Sequence, residues 1–551
     1  LITREEWHQQ WQKFKDREEN EDAQTWLWLR CATDLELYAM YYFPHYCQLP
    51  FNELHFDLFD SAAFGERAAR RSRAAPRGYA KSTIEAFVEP IHDVCYGLED
   101  FIVIFSNTQD QANQKLKDIR TEILTNAQLI ADYGVGFPNS KPGETQYTVL
   151  CNGIECLFLA FGSGTEVRGI RFGASRPSKV ICDDVEHSEE VLNESIRAKY
   201  EDWYFQVVSK IGDTKTNIKT IGTILHPESL LSKLIVNPGY DGKLYKAIIS
   251  WSERQDLWEQ WTKIYCNLDD IDRVIRSEQF YKTNEKLMLQ GTKVLWPEKE
   301  TYLYLMKELI ETGRRAFFKE KQNEPIGGDH ALFDKIHWYK ETDEGLLIES
   351  NGVTIPWDMV KPKGSWINAY GALDPATGQT KAKPGKLGDY SSLVTGLGVA
   401  VPGREYKIRL FVHAEETKRT GPSKWIRSMF EHNEEYEYQK FALETNLYRD
   451  LLLPNVEAER KVFQKEIKKE VYLPIYDVVN VENKEKRIHT LEPKITHGWI
   501  LFNRALSQTA MRQIESFPLG DHDDFPDALE MLWNLVNNRY KAGGLSMGTG
   551  K

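Results

Sequence analysis

The sequence predicts two α/β domains in tandem, and three observations carry that reading. The chain has 551 residues, more than one ordinary core absorbs. From about residue 50 to 330, short apolar runs alternate with helical stretches, the pattern of a parallel sheet covered on both faces. The alternation pauses over 330–365, punctuated by Pro356, Pro362 and Gly364, and resumes at Trp366.

Taken in order, residues 1–48 read as aromatic-rich helices (Trp7, Trp11, Trp26, Trp28, Tyr38, Tyr41, Tyr42) that belong with the first domain. That domain spans 49–328. Strands are expected at Phe101–Phe105, Ile154–Phe161, Lys179–Cys182 and Lys219–Thr223, and helices at Gln111–Ala131 and Glu298–Lys321. A linker covers 329–365. The second domain spans 366–540, with strands at Ile367–Leu373, Ser391–Ala400, Glu405–His413 and Phe441–Leu443. A Gly-rich tail, 541–551, reads as flexible.

Composition narrows the class. A net charge of −12 excludes a uniformly basic nucleic-acid coat but leaves room for a local basic groove. The seven cysteines all fall between Cys31 and Cys266, without the second pair a zinc site needs, so they read as reduced, buried thiols. No apolar run reaches the ~20 residues of a membrane span. The first residues read as an amphipathic helix, not a signal peptide.

The segment Pro76-Arg77-Gly78-Tyr79-Ala80-Lys81-Ser82-Thr83 reads as an altered phosphate-binding loop. Ala75 and Ala80 stand where G-x-x-x-x-G-K-[ST] has glycines, yet Lys81 and Ser82 are in register. A lysine opening a helix reaches β- and γ-phosphates, and the next hydroxyl holds Mg²⁺. Residues Arg77 to Thr83 are therefore expected to bind ATP, with Ser82 as a metal ligand. The apolar strand ending at Asp183-Asp184-Val185-Glu186 supplies acids. Asp183 fits the metal, and either Asp184 or Glu186 the water-activating base. An acidic turn after a strand is the plain alternative. Arg168, beside Gly169, suits an arginine finger, with a solvated surface arginine as the plain alternative, and Gly222-Thr223 suits a sensor of the γ-phosphate. Together these define a P-loop ATPase domain of the ASCE, RecA-like type.

The second domain carries acids at strand ends. Asp374 closes one strand, Asp389 precedes the next, and Glu444 closes a third. Asp523, Asp524 and Asp527 then open a late helix, with Asp524 and Asp527 three apart on one face. Acids from two strands and a helix suit an RNase-H-like nuclease holding two Mg²⁺ or Mn²⁺. Asp374, Glu444 and Asp524 would be catalytic, and Asp374, Glu444, Asp523, Asp524 and Asp527 metal ligands. Helix capping is the alternative for Asp523 and Asp524.

A P-loop ATPase followed by an RNase-H-like nuclease resembles the large terminase subunit of tailed bacteriophages. The resemblance runs from about Gln48 to Tyr540. It rests on Pro76 to Ser82, Arg168-Gly169, Asp183-Asp184, Gly222-Thr223, and the acids Asp374, Glu444 and Asp523 to Asp527. Two departures stand out: Asp-Asp replaces Asp-Glu after the strand, and Ala80 replaces the last loop glycine. The resemblance implies a ring, a pentamer, on the portal protein of a procapsid in the host cell cytoplasm. It implies a small terminase subunit as partner, and double-stranded viral DNA that is cut, pumped inward and cut again. The alternative is a DNA helicase or repair ATPase fused to a nuclease.

Overall fold

Short segments, apolar in the middle of the sheet and polar towards one edge, form the first sheet of the protein. Its strands are β1 (Arg70–Ala74), β2 (Phe101–Ser106), β3 (Gln146–Cys151), β4 (Ile154–Gly162), β5 (Lys179–Asp183), β6 (Asn217–Gly222) and β7 (Asp241–Leu244). Their order is β3-β4-β2-β5-β6-β1-β7. Every pair is parallel except β3 with β4. β2, β5 and β6 are buried along their whole length, as central strands covered on both faces must be. The computed structural model describes residues 21–61, 65–138, 143–325, 332–333, 335–375, 390–401, 404–444, 449–478, 483–518, 520 and 522–537. None of the described helices is long and apolar enough to cross a membrane. The described residues divide into two units. The first draws on Leu1–Glu253, Leu289–Ile310 and Arg314–Gly327, and the second on Arg254–Met288, Glu311–Gly313 and Gly328–Lys551.

In the first unit, register aligns the strand ends that matter. Ala74 lies opposite Gly222, and Asp183 lies opposite both Ser106 and Ile221. β1 (RRSRA) escaped the sequence reading because three of its five residues are arginines. Arg73 is buried there by pairing with Asp57 at 2.5 Å and Asp241 at 2.7 Å. The helix expected at 111–131 is two, α1 (Gln109–Thr125) and a shorter one capped by the Asn126 side chain. The expected 298–321 helix likewise breaks at Gly313, whose φ is +88°. α2 (Leu230–Val236) packs beside β1 and β6.

Residues 81–95 form one helix with a π-type turn at Ile84–Val88, where the Glu89 N–H reaches the Ile84 carbonyl. Pro90 explains the widened turn: it has no N–H, and its ring would collide with an α-helical Ala86 carbonyl. The same helix carries Glu85, Glu89 and Asp93, all buried. Lys219 from β6 lies 2.6 Å from Glu89 and 3.7 Å from Glu85. Lys179 from β5 lies 2.8 Å from Glu89 and also pairs with Asp93. Although burial works upward on its pKa, Lys179 and Lys219 hold Glu89 well below the usual carboxylate range.

The second unit is built on a nine-stranded sheet. After the β8 (Ile248–Ser250) and β9 (Lys293–Val294) pair of the first unit come β10 (Trp338–Thr342), β11 (Gly345–Ile348), β12 (Thr354–Pro356), β13 (Ala369–Asp374) and β14 (Ser391–Val401). β15 (Arg404–Lys418), β16 (Lys440–Glu444), β17 (Ile475–Val478) and β18 (Ile500–Asn503) complete it, in the order β12-β11-β10-β18-β15-β14-β13-β16-β17. β13, β14 and β15 are antiparallel neighbours, while β16 joins β13, and β17 joins β16, in parallel. Alternation sends Ala372, Val394 and Leu410 to one face and Leu373, Leu393 and Phe411 to the other.

Two readings of the sequence change here. The stretch drawn as linker, 329–365, contains β10 to β12, strands of five, four and three residues whose pairing depends on distant β18. Their brevity and flanking prolines hide them. Residues 254–288, drawn inside the first domain, group with the second unit as helices α3 (Gln255–Tyr265) and α4 (Arg273–Met288). Asp269 between them accepts a 2.9 Å bond from Arg409 of β15, and the Arg273 guanidinium lies 5.9 Å from the Trp499 ring centre. The remaining helices used below are α5 (Pro422–Tyr436), α6 (Arg449–Ile467), α7 (Lys484–His489) and α8 (Asp524–Val536). Among these, α5 and α6 cover the face bearing Leu373, and α8 the face bearing Ala372.

Removing one partner of a buried ion network leaves an uncompensated charge. Lys179→Met should therefore destabilise the first unit by about 3–5 kcal/mol, read as a lower midpoint in chemical denaturation. A midpoint within error of the parent would refute the structural role of the network.

Candidate functional site

The first candidate site lies at the carboxyl edge of the first sheet, where open parallel sheets hold ligands. β1 ends at Ala74, and Ala75 donates its N–H to the Gly222 carbonyl at 3.0 Å. The loop then turns through Gly78 (φ +82°) and Ala80 (φ +55°) into the helix at Lys81. Ala80 thus holds a left-handed conformation that a glycine would adopt without strain, at a steric cost to the alanine. The loop is braced from behind. The Tyr79 hydroxyl donates to Glu300 at 2.9 Å, the Arg77 N–H donates to the Glu320 carbonyl at 2.9 Å, and Lys299 donates to the Gly78 carbonyl.

Lys81 is buried, and its ammonium donates to Thr223 Oγ1 at 3.1 Å. Ser82 Oγ donates to Asp183 Oδ1 at 2.9 Å. Thr83 follows in the same turn. Lys81, Ser82, Asp183 and Thr223, far apart in sequence, are therefore in contact. The second oxygen of Asp183 pairs with Lys115 of α1, a residue the sequence reading missed because an exposed-looking helix lysine carries no motif.

The two candidate bases separate cleanly. Asp184 Oδ2 lies 4.0 Å from the Lys81 ammonium, and about half of its side chain is open to solvent. Its φ of +48° is strained for a non-glycine residue. A Cβ on Gly222 would come within 3.0 Å of Asp184 Oδ1, so Gly222 leaves that carboxylate its room. Glu186 is buried elsewhere: its two oxygens accept from the Leu230 and Leu231 N–H groups at 2.7 and 3.1 Å, at the start of α2. Arg168 is 71% exposed and 3.6 Å from Glu166 of its own loop.

The second candidate site lies where β13 and β16, parallel neighbours in register, both end in acid. Carboxylate oxygens of Asp374, Glu444 and Asp527 lie within 4.8 Å of one another. Asp524 is close enough to act on Asp374, whose carboxyl is pushed well above its usual range by burial and by Asp527, Glu444 and Asp524, against the pull of Lys484. Asp523 stands at the start of α8 without capping it through its side chain, and lies 3.0 Å from Lys484. Capping therefore does not account for Asp523. All-oxygen donor sets of this kind suit hard divalent cations, and the crowded like charges need cations to offset them. Asp389 lies outside the described residues. Lys484 and Arg487 of α7, which pair with this cluster, had no signal in the sequence.

No protein-family model matches the chain, and no curated protein does. Among solved structures it is similar to the large terminase of a thermophilic bacteriophage in complex with ADP, at 9% identity and a TM-score of 0.43, over 88% of this chain and 99% of that one. It is also similar to the HK97 bacteriophage large terminase, at 11% identity and a TM-score of 0.28, over 89% and 95% of the two chains. A third likeness is to the human cytomegalovirus terminase nuclease domain, at 11% identity and a TM-score of 0.22, over 30% and 82%. Scores this low leave the function to be argued from the side chains.

Relief of the left-handed alanine predicts that Ala80→Gly stabilises the chain by about 0.5–1 kcal/mol, seen as a raised melting temperature. An unchanged or lower value would show that the loop holds no strain at Ala80.

Proposed function

We propose that the chain is an ATP-driven motor that moves double-stranded DNA and cuts it, acting as the large terminase subunit of viral genome packaging. One observation carries the reading. A single chain has Lys81 and Ser82 in contact with Thr223 and Asp183 on one sheet edge, and three converging carboxylates on the edge of a second sheet. Nucleotide chemistry and metal-assisted phosphodiester cleavage in separate units are what cutting and pumping require.

At the first edge, Lys81 can exchange Thr223 for a phosphate oxygen, which would report nucleotide occupancy to β6. Ser82 and Asp183 would hold Mg²⁺, which when bound neutralises phosphate charge. Asp184 takes the proton of the attacking water, since Glu186 is committed to α2. The exposure of Arg168 suits a finger directed at a neighbouring subunit of a pentameric ring. At the second edge, Asp374, Glu444 and Asp527 would hold one divalent ion, and Asp523 and Asp524 would help hold another. Bound there, Mg²⁺ or Mn²⁺ stabilises the attacking and leaving oxygens of the cleaved strand. DNA contacts fall mainly on phosphates, because a packaging motor must be indifferent to sequence. The portal protein, the small terminase subunit and the procapsid in the host cytoplasm complete the assembly.

The test is DNA packaging into purified procapsids, scored by nuclease protection of the DNA. ATP-dependent protection is expected, and strand unwinding without protection would favour a helicase fused to a nuclease. Lys81→Ala should abolish ATP hydrolysis yet keep metal-dependent plasmid cutting, and Asp374→Ala should do the reverse. Equal loss of both activities in either folded variant would sink the two-site reading. Asp184→Asn should lower kcat for ATP about 10²–10⁴-fold, while Glu186→Gln keeps kcat and loses stability. The opposite pattern would transfer the base to Glu186.

A further inference from the structure

We propose that Lys484 is a resident cation on one of the two metal positions of the acidic cluster, and that it must swing out before a second divalent ion loads. The inference rests on the metal-dependent nuclease reading and adds a control on that same site.

The geometry carries it. The Lys484 ammonium lies 3.2 Å from Asp374 Oδ2, 3.0 Å from Asp523 Oδ1 and 3.2 Å from Asp527 Oδ2. An ammonium has three donors, and here each faces a different carboxylate. These acids come from the end of β13, the first turn of α8 and the residue before it. Asp523 belongs to the second metal position and Asp374 and Asp527 would bridge both, so the ammonium holds oxygens that the second ion needs. Ammonium and divalent ion compete for the same oxygens, and both cannot hold them at once.

The neighbouring cation on the same helix shows which of the two is exchangeable. Arg487, one turn on, is 8% exposed and lies 2.7 Å from both Asp527 Oδ1 and Glu530 Oε2. Its buried fork is a fixed part of the wall. The Lys484 side chain is 36% exposed and hangs on a flexible four-carbon stem at the first residue of α7. Solvent therefore offers Lys484 a second position that Arg487 lacks. A DNA strand entering the site brings phosphates, which offer the ammonium an alternative partner. Loading of the second ion then depends on DNA, and the nuclease stays half-assembled without it.

The test is calorimetric titration of Mn²⁺ into the full chain without nucleotide, with Asp374→Ala as the reference for ions bound elsewhere. Above that reference, wild type should bind one ion, and Lys484→Gln should bind a second at least about tenfold more tightly than wild type does. Identical stoichiometry and affinity in wild type and Lys484→Gln would overturn the role of Lys484 while leaving the nuclease reading intact. If neither binds more than Asp374→Ala, the nuclease reading itself fails and takes the proposal with it. Should Lys484→Gln not fold, Ca²⁺ titration of wild type with and without a duplex oligonucleotide decides. DNA should raise the bound ions from one to two, and an unchanged count would overturn the proposal.

Discussion

The buried ion ladder of Glu85, Glu89 and Asp93 with Lys219 and Lys179 is the constraint on which the first candidate site depends. The helix that starts with Lys81 and Ser82 is fixed through it to β5 and β6. Those two strands carry Asp183 and lead to Thr223 at their other ends. Hydrophobic packing alone would hold the helix against the sheet but would tolerate sliding, because apolar contacts are non-directional. Charged pairs out of water are not tolerant: each misplaced partner leaves a charge that several kcal/mol cannot easily accommodate. The 2.9 Å bond from Ser82 to Asp183 is therefore set by contacts that run along the helix from Glu85 to Asp93.

Both candidate sites use the same construction on different sheets. A strand ends in an acid beside a parallel neighbour, and a helix supplies the remaining polar groups. In each, a lysine from a nearby helix rests against a carboxylate of the candidate site: Lys115 against Asp183, and Lys484 against Asp374. Internal cations of this kind keep clustered acids folded when no ion is present, since like charges in a buried site repel strongly. The difference lies in what surrounds them. Asp183 is fully buried and shares its oxygens with one hydroxyl and one lysine, whereas the second cluster gathers several acids around a single ammonium.

Much of this was legible in the sequence where local pattern and chemistry coincide. An apolar run closing on an acid marked β5, β13 and β16, because a buried central strand must be apolar and its end must face solvent or ligand. The loop at Ala80 was legible in spite of its missing glycine, since lysine and hydroxyl kept their spacing. What was hidden depends on tertiary partners. β1 reads as a basic surface segment until Asp57 and Asp241 are seen to neutralise Arg73. Asp184 and Glu186 are two residues apart and chemically alike, and only the N–H groups at the start of α2 distinguish them. The strands β10 to β12 and the grouping of α3 and α4 with the second unit follow from pairing with residues more than a hundred positions away.

The widened turn at Ile84–Val88 bears on how such a chain can evolve. An insertion or deletion in a surface loop is absorbed by the loop. Between Lys81 and Asp93 there is no such slack: the helix is anchored at one end by Ser82 and Thr223 contacts and at the other by buried charges. Loss of a residue from one of its α-helical turns would rotate one anchor against the other by about 100°, and the wider turn at Ile84–Val88 is the one place where the winding itself can take up such a change. The spacing between the two anchors is therefore as much a part of the site as the side chains that make them.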